Sequence, residues 1–278
     1  MIINRKKTTS FILILFLFFF GLDWESVQLM DSNFLTYSTN QQAYLMMGPL
    51  LMAIAIFIWI GYLAKRWNQF NWLTCCLLFL VCSFATGWLA AEYNDFVDTW
   101  LGQQFDQSAF LDYLLAFTGA VGEEVIKLVL VGLLAHCLNY KTPAQLFILG
   151  CLVGLGFQWV EDLSYVFLAE NLDDSLVTAI TRLSNGFCSH WVYSGITGYA
   201  LSHWFSTDQK IQGPKAIGLI CLIILLHFIW NSPLSEFFLL PITLNLVTAL
   251  IYLTIVLILD HQSINPLFKQ QTLIYFKQ

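Results

Sequence analysis

The chain has 278 residues, of which 58% are hydrophobic, 16% are aromatic and only 11% are charged. A soluble domain carries about a quarter charged residues, so this composition excludes a soluble globular protein and predicts an all-α, polytopic bundle of membrane helices. The formal net charge of −6 says little about partners, because the charges are sorted along the chain; the lipid bilayer is the expected surroundings and no nucleic acid is expected.

About eight apolar stretches are long enough to be read as membrane-spanning helices, since roughly 20 apolar residues cross the hydrocarbon layer. The first follows a basic segment and resembles a signal peptide, but no small-x-small cleavage site follows it, so we expect a retained span. The sixth is over-long, and Asn185-Gly186 is expected to break it. The predicted spans cover residues 11–22, 43–64, 72–91, 110–138, 144–169, 176–205, 216–230 and 237–259.

The basic residues predict the orientation of the chain in the membrane. Of twelve Lys and Arg residues, two lie inside spans, and with eight spans the remaining ten all fall on the side of the N-terminus; these are residues 5, 6, 7, 65, 66, 141, 210, 215, 269 and 277. The acidic loops fall on the opposite side. By the positive-inside rule, both termini are cytoplasmic and the chain is a multi-pass protein of the plasma membrane.

The fourth span contains three ionisable residues in the motif Glu123-Glu124-x-x-Lys127. Each charge at the centre of a membrane helix costs about 2.5–3.5 kcal/mol on insertion scales. Glu123 and Lys127 share a helix face at four-residue spacing, and Glu124 reaches Lys127 at three-residue spacing. The motif therefore indicates either a buried ion pair that joins helices or a polar site inside the bilayer.

The next three spans each contain a polar cluster as well. Taken singly, each cluster has an ordinary structural explanation, such as a hydrogen-bonded histidine or a helix-end cap, and the glycines near residues 150–156 are explained by close helix packing. Because the clusters are confined to consecutive spans, we interpret them as one shared interior site. They read Phe157-x-x-x-Glu161, Arg182-x₇-His190 and His227-x-x-x-Asn231.

Carboxylates, imidazoles and an amide in a wet intramembrane pocket suit the hydrolysis of a peptide bond. That reaction needs a base to activate water, donors for the developing oxyanion and an acid for the leaving amine. The chain has no His-Glu-x-x-His zinc helix and no Gly-x-Ser-x-Gly elbow; a pair of Ser194 with His227 stays open. The seven cysteines lie in apolar runs without CxxC spacing, which argues against disulfides and a thiolate zinc site.

The four motifs, in this order, resemble those of the PrsW family of glutamic-type intramembrane proteases, which belongs with the CAAX prenyl proteases and bacteriocin-processing proteins. The resemblance covers about residues 110–231. It implies an intramembrane endopeptidase that cleaves a membrane-anchored protein near its extracytoplasmic side. The implied substrate is an anti-sigma-factor-like protein or a prenylated or lipid-embedded peptide.

The resemblance also implies roles for single residues. Glu123 is the expected water-activating base, with Glu124 or Lys127 as its support, and Glu161 stands where the CAAX relatives have a histidine. The catalytic set is Glu123, Glu124, Glu161, His190, His227 and Asn231, with Asn231 near the oxyanion, and the supporting set is Lys127, Phe157 and Arg182. The chain then divides into three N-terminal helices with acidic outer loops (1–109), a four-helix catalytic core (110–231), and a last helix with a short cytoplasmic tail (232–278).

Three mechanisms stay open at this point. The leading one uses water activated by glutamate, with oxyanion stabilisation by His and Asn side chains and no cofactor. A close variant is a metalloprotease in which His190, His227 and a carboxylate hold zinc. The third is not proteolytic: the same residues would form a proton relay in a transporter or an immunity-type membrane protein.

Overall fold

The computed structural model describes residues 5–206 and 211–264, and the regular structure in these ranges is helical throughout, which confirms the predicted all-α class. Short 3₁₀ turns at Asn33–Thr36 and Pro233–Glu236 connect longer helices. The predicted cytoplasmic tail, residues 265–278, and the loop cation Lys210 lie outside the described residues. The α-helices are α1 (Arg5–Asp31), α2 (Thr39–Arg66), α3 (Trp72–Ala85), α4 (Gly87–Gln104), α5 (Ala109–Leu138), α6 (Pro143–Phe167), α7 (Leu172–Asn185), α8 (His190–Phe205), α9 (Gly213–Asn231) and α10 (Leu239–Ile264).

Within the described ranges, six helical segments are long and apolar enough to cross a membrane, and α3 and α4 together form one of them. The others are α1, α2, α6, α9 and α10. Helix α5 has 30 residues but carries the three charges of the Glu-Glu-x-x-Lys motif, and α8 has only 16 residues. The chain is therefore a membrane protein, while eight spans and cytoplasmic termini stay predictions.

Large apolar side chains cover the outer surface of the bundle. Phe19 on α1, Leu73 on α3 and Leu257 on α10 are all more than 60% exposed. A soluble monomer rarely exposes apolar patches of this extent, because burial of apolar surface is favourable in water. The outer faces of these helices are therefore suited to contact with lipid.

Two helices extend further than the apolar pattern predicts. Helix α1 continues to Asp31 and α4 continues to Gln104, so the acidic stretch after Ala91, predicted as an outer loop, begins as helix. The two extensions contact each other, since Trp24 Nε1 donates to Glu92 Oε1 at 2.9 Å. A count of apolar residues stops at the first polar side chain, whereas a helix with a packing partner continues past it.

The predicted break in the sixth span is confirmed, and it separates two different kinds of helix. Helix α7 is amphipathic and exposes Val177 and Ile180, whereas α8 is buried along most of its length. Residues 186–189 connect them without regular structure, and the Gly186 N–H donates to the Arg182 carbonyl at the end of α7. Because of this break, His190 is the first residue of α8 and not a mid-span residue.

Helix α6 is the centre of the bundle and packs against α8, α3, α2 and α5. Its contact with α8 is so close that a methyl group on Gly150 or Gly154 would overlap the carbonyl oxygen of Ser194 or His190, respectively. This confirms the packing role predicted for the glycines. The close contact holds the start of α8, and therefore His190, against the middle of α6.

Candidate active site in the membrane bundle

The Glu-Glu-x-x-Lys motif lies near the middle of α5. The side chain of Ser108 caps the start of this helix, and Asn139, in a left-handed conformation (φ 59°), follows its last residue. Glu123, Glu124 and Lys127 are all buried, and Lys127 is 0% exposed. Lys127 Nζ lies 2.6 Å from Glu124 Oε1 but 3.9 Å from Glu123 Oε2. The direct ion pair is therefore with Glu124, and Glu123 is left more weakly held.

Lys127 also connects α5 to α8 and α6. Its Nζ lies 2.9 Å from His190 Nδ1, and His190 Nε2 lies 3.0 Å from Glu161 Oε2. An ammonium group can only donate, so His190 Nδ1 accepts this bond and the ring proton is on Nε2, where it is donated to the Glu161 carboxylate. This assignment makes His190 a neutral bridge between a cation and an anion.

His227 on α9 contacts both glutamates of α5. Its Nδ1 lies 2.9 Å from Glu124 Oε1, and its Nε2 lies 3.5 Å from Glu123 Oε2. An ionised Glu124 accepts only, so Nδ1 carries a proton; when the ring is neutral, Nε2 then presents a lone pair. The His190 and His227 ring centres are 5.0 Å apart, so α8 and α9 place two imidazoles side by side over α5.

Arg182 on α7 contacts the carboxylates of the cluster near the end of α6. Its Nη1 donates to Glu161 Oε2 at 3.0 Å and lies 3.6 Å from Asp162 Oδ1. The guanidinium carbon lies 3.8 Å from the ring centre of Tyr165, which is a cation–π geometry. The short helix α7 thus supplies the positive charge that balances the carboxylates at the end of α6.

Phe157, predicted as a supporting residue, lies beneath the polar groups. Lys127 Nζ is 4.4 Å from the Phe157 ring centre, and the His190 ring meets the same phenyl ring edge to face at 4.9 Å. The ring face is electrostatically negative and attracts the ammonium. Phe157 therefore stabilises the position of Lys127 without competing for its hydrogen bonds.

Polar side chains of neighbouring helices form hydrogen bonds with the backbone of the irregular segment before His190. Gln158 Nε2 donates to the Gly186 carbonyl at 2.9 Å, and Ser189 Oγ donates to Gln158 Oε1 at 3.0 Å. The Cys188 N–H donates to Asn245 Oδ1 on α10. Non-helical backbone at membrane depth persists only where protein or water satisfies it, so these bonds allow α8 to begin inside the bundle.

Sequence reasoning missed Asn94, the side chain that contacts the predicted base. Asn94 Nδ2 donates to Glu123 Oε1 at 3.1 Å. A signal was available, because Gly87, Ala90, Ala91 and Asn94 follow the i, i+3, i+4, i+7 spacing of one helix face. The apolar count ended the span at Ala91 and so assigned Asn94 to a loop.

Glu123 faces a cavity of about 170 Å³ between α1, α4, α5 and α6. Glu25 also lines the cavity, because α1 continues past residue 22, where the first predicted span ends. Glu123 Oε2 is buried and has no hydrogen-bond partner among the described atoms. The remaining lining residues are Trp24, Gly87, Ala90, Ala91, Asn94, Phe157, Val160, Glu161, Ser164, Tyr165 and Leu168.

The structure brings together eight of the nine predicted site residues and places the ninth elsewhere. Asn231 is the last residue of α9 and is exposed, four residues beyond the buried His227. The amide that contacts Glu123 is that of Asn94. The predicted role of Asn231 at the oxyanion stays a prediction.

Three buried residues of the cluster could also hold a metal ion. One ligand atom each of Glu123, His190 and His227 lies within 4.8 Å of the others. Two imidazoles and a carboxylate form a ligand set typical of catalytic zinc, and the buried Glu123 Oε2 is without a partner. The donor set therefore fits a metal in type and proximity, although both ring nitrogens of His190 already have partners in Lys127 and Glu161.

The comparison with family models matches this arrangement to a known group. The family described as "PrsW family intramembrane metalloprotease" matches residues 69–259, more than half of the chain. The chain belongs to the PrsW family. The resemblance of the four motifs is thereby confirmed. No curated protein and no solved structure matches this PrsW chain.

The match with the family model covers residues 69–259 of the PrsW chain. Helices α3 to α9 lie within residues 69–259, whereas α1 and α2 precede them. The five helices that carry the motif residues, α5 to α9, are all inside the match, as is Asn94 on α4. Glu25 is the cavity residue with an ionisable side chain that comes from outside it.

Proposed function

We propose that this PrsW protein is an intramembrane endopeptidase in which Glu123 activates water. The observation that carries the proposal is the difference between the two adjacent glutamates. Each has one buried oxygen without a hydrogen-bond partner among the described atoms, but only Glu123 lines the cavity. Glu124 Oε1 is shared by Lys127 and His227. Glu124 therefore supports the site, and Glu123 is free to act on a water in the cavity.

The position of His227 favours the same assignment. Glu123 Oε2 and His227 Nε2 are 3.5 Å apart, close enough for one water to donate a proton to each. A water held in this way directs an oxygen lone pair away from both acceptors and towards a peptide carbonyl. Transfer of one proton to Glu123 as the C–O bond forms gives the tetrahedral intermediate, and Glu123 then returns that proton to the leaving amine.

Two groups are suited to the negative charge of the intermediate. Lys127 places a buried positive charge in the cluster, held by Glu124 and His190. Asn94 uses one N–H for Glu123 and has a second amide hydrogen on the cavity wall. Donors fixed before the reaction stabilise an oxyanion strongly in a site of low dielectric constant.

A zinc-dependent variant is the second candidate, favoured by the proximity of Glu123, His190 and His227 and by the family description. Zinc bound there would lower the pKa of a coordinated water and polarise the substrate carbonyl. In this variant Glu124 would orient His227, and Glu161 would orient His190 through their other ring nitrogens.

Lys127 supports the metal-independent mechanism over the zinc variant. Its ammonium lies 2.9 Å from His190 Nδ1, so His190 would have to give up Lys127 or Glu161 to ligate a metal. A dication would also lie next to the buried Lys127 charge. The lysine already provides the positive charge that a metal would bring to these carboxylates.

The test is proteolysis by the pure protein. The enzyme, purified in detergent, is analysed for bound metals and incubated with a panel of single-span substrates, with Glu123→Gln as the matched inactive variant. We expect cleavage by the wild type, none by the variant, and no effect of chelators. Loss of activity on chelation with recovery on addition of zinc would replace the leading mechanism by the zinc variant. No cleavage of any substrate would count against the proteolytic function.

We further propose that the substrate is a membrane-anchored protein, either anti-sigma-factor-like or lipid-embedded, cleaved near its extracytoplasmic side. The predicted orientation supports this, because Glu161 is six residues before the end of α6 and His227 four before the end of α9. At 1.5 Å per residue these are about 9 and 6 Å from the outer helix ends.

The proposed sidedness is tested by thiol labelling. Cysteines at positions 161 and 227 in a cysteine-free background should react with a membrane-impermeant thiol reagent from outside intact cells. Labelling from the cytoplasmic side alone would contradict both the orientation and the extracytoplasmic substrate.

A further inference from the structure

Helix α1, which lies outside the family match, is tightly joined to the helices that form the site. A methyl group on Gly21 would overlap the Phe84 carbonyl oxygen, so α1 and the end of α3 are in backbone contact. Trp88 Nε1 donates to the Leu17 carbonyl at 3.2 Å, and Trp24 Nε1 donates to Glu92. These contacts on successive turns fix the rotation of α1 about its axis and direct Glu25 to the cavity.

The Glu25 carboxylate is held weakly within the cavity wall. Its Oε2 accepts a hydrogen bond from Ser164 Oγ at 3.3 Å. Gly87, the first residue of α4, leaves space for Oε1, which lies 3.4 Å from the position that a methyl group on Gly87 would take. In the described part of the chain no cationic side chain forms an ion pair with Glu25.

The charges around the site are unequal. Five carboxyl groups line or adjoin it, those of Glu25, Glu123, Glu124, Glu161 and Asp162, against two cations, Lys127 and Arg182. With all of them ionised, the excess is three negative charges. Lys127 contacts Glu124, and Arg182 is shared by Glu161 and Asp162. Two of the three excess charges therefore lie on the cavity side, at Glu123 and Glu25, and the third lies at the pair Glu161 and Asp162.

We infer that Glu25 forms a subsite that binds a cationic side chain, Lys or Arg, of the substrate segment entering the cavity. This inference rests on the proposed function, which makes the occupant of the subsite a side chain of a peptide substrate. A carboxylate in a partly apolar cavity gains most from a partner that is itself removed from water. The cavity of about 170 Å³ holds one side chain next to Glu123. The base and the specificity residue thus come from different helices, α5 and α1.

The first experiment moves a single lysine through the substrate. A single-span substrate carries either Lys or the neutral norleucine at one position around the cleavage site, and each position is tested in turn. Cleavage of every substrate is measured for the wild type and for Glu25→Gln. We expect one position at which Lys raises kcat/KM over norleucine by about 10- to 100-fold, the range for a hydrogen bond to a charged group. Glu25→Gln should abolish this preference, so that its kcat/KM for the Lys substrate falls to its own value for the norleucine substrate.

The matched control is Asp95→Asn, which removes the same charge from an exposed position on α4. Asp95→Asn should keep the lysine preference. A general electrostatic effect would be lost equally in both variants, whereas a subsite at Glu25 is lost only in Glu25→Gln. Equal loss in Glu25→Gln and Asp95→Asn would overturn the inference. So would a wild-type enzyme without any position-dependent preference for Lys.

A second experiment separates this inference from the proposed chemistry. Peptides with Lys, norleucine or Glu at the preferred position are bound to Glu123→Gln protein, with or without Glu25→Lys, and affinity is measured by fluorescence. We expect Lys to bind most tightly with Glu25 present and Glu to bind most tightly with Glu25→Lys. Charge-swapped binding without any cleavage by the wild type would reject proteolysis and keep the cation site. Unchanged ranking in Glu25→Lys would reject the site.

Discussion

The polar site has two halves that differ in how completely their charges are partnered. The inner half consists of Glu124, Lys127, His190 and His227. Lys127 and Glu124 pair within α5 at 2.6 Å, and contacts of 2.9 Å join α5 to α8 and α9. The cavity half consists of Glu25, Asn94 and Glu123, where Glu123 Oε2 and Asn94 Oδ1 are buried without hydrogen-bond partners among the described atoms. The two halves meet at adjacent residues, Glu123 and Glu124.

Because of this difference, one turn of α5 carries both a residue suited to stabilising the fold, Glu124, and a residue suited to chemistry, Glu123. A buried charge is tolerated only where a partner compensates its desolvation, which the inner half provides. A reacting group needs a free atom on a residue that lines the cavity, and of the two glutamates only Glu123 meets this condition. Because consecutive residues on a helix point about 100° apart, the pair Glu123-Glu124 can serve both purposes at once.

The largest expected effect comes from the cavity half. Glu123→Gln keeps the shape of the side chain and its contact with Asn94 but removes the basic oxygen, so activity should fall by about 10²–10⁴-fold. Thermal unfolding in detergent should stay close to the wild type, since Glu123 lacks a close ion pair. Glu124→Gln is the matched comparison, and it should lower the thermal stability in addition to the activity. Full activity in Glu123→Gln would remove the assigned base.

The next effect comes from the inner half. Lys127→Ala leaves Glu124 and His190 without their common partner, which should cost about 3–5 kcal/mol of folding free energy. Reversible unfolding in mixed micelles measures it, with the exposed Lys141→Ala as control. Adding Glu124→Gln should recover part of the loss, because the stranded carboxylate is then neutral. A stable and active Lys127→Ala protein would show that the inner half is dispensable.

A smaller effect should follow from Asn94→Ala, which removes the donor to Glu123 Oε1. A hydrogen bond to a charged group is worth about 1.5–3 kcal/mol, so kcat/KM should fall by about 10- to 100-fold. The double variant with Glu123→Gln should lose less than the sum of the two single losses, since part of the effect of Asn94 acts through Glu123. Fully additive losses would leave Asn94 with the proposed oxyanion role alone.

The smallest effect is expected for Asn231→Ala. Asn231 is exposed at the end of α9, and substitutions at such positions usually change stability by less than about 0.5 kcal/mol. Activity should stay within about twofold of the wild type in the same cleavage assay. A loss greater than tenfold would restore Asn231 as the oxyanion residue and require movement of the end of α9 on substrate binding.

The sequence by itself determined the class of the protein and predicted most members of the polar cluster. Length and hydropathy predict a helical membrane protein, because the cost of burying charge in lipid acts on every residue separately. The spacing Glu123-Glu124-x-x-Lys127 predicts a shared face, because helix geometry is local. The four motifs sufficed to suggest the family without any contact being known.

Only the tertiary structure decided which groups meet. The bond from Asn94 to Glu123 joins residues 29 positions apart, and that from His227 to Glu124 joins residues 103 positions apart. The choice of Glu124 as the partner of Lys127 depends on side-chain directions set by α8 and α9. Glu25 enters the cavity because Gly21 allows α1 to cross α3 closely. Local sequence rules cannot supply these contacts, since they arise from packing between helices that are distant along the chain.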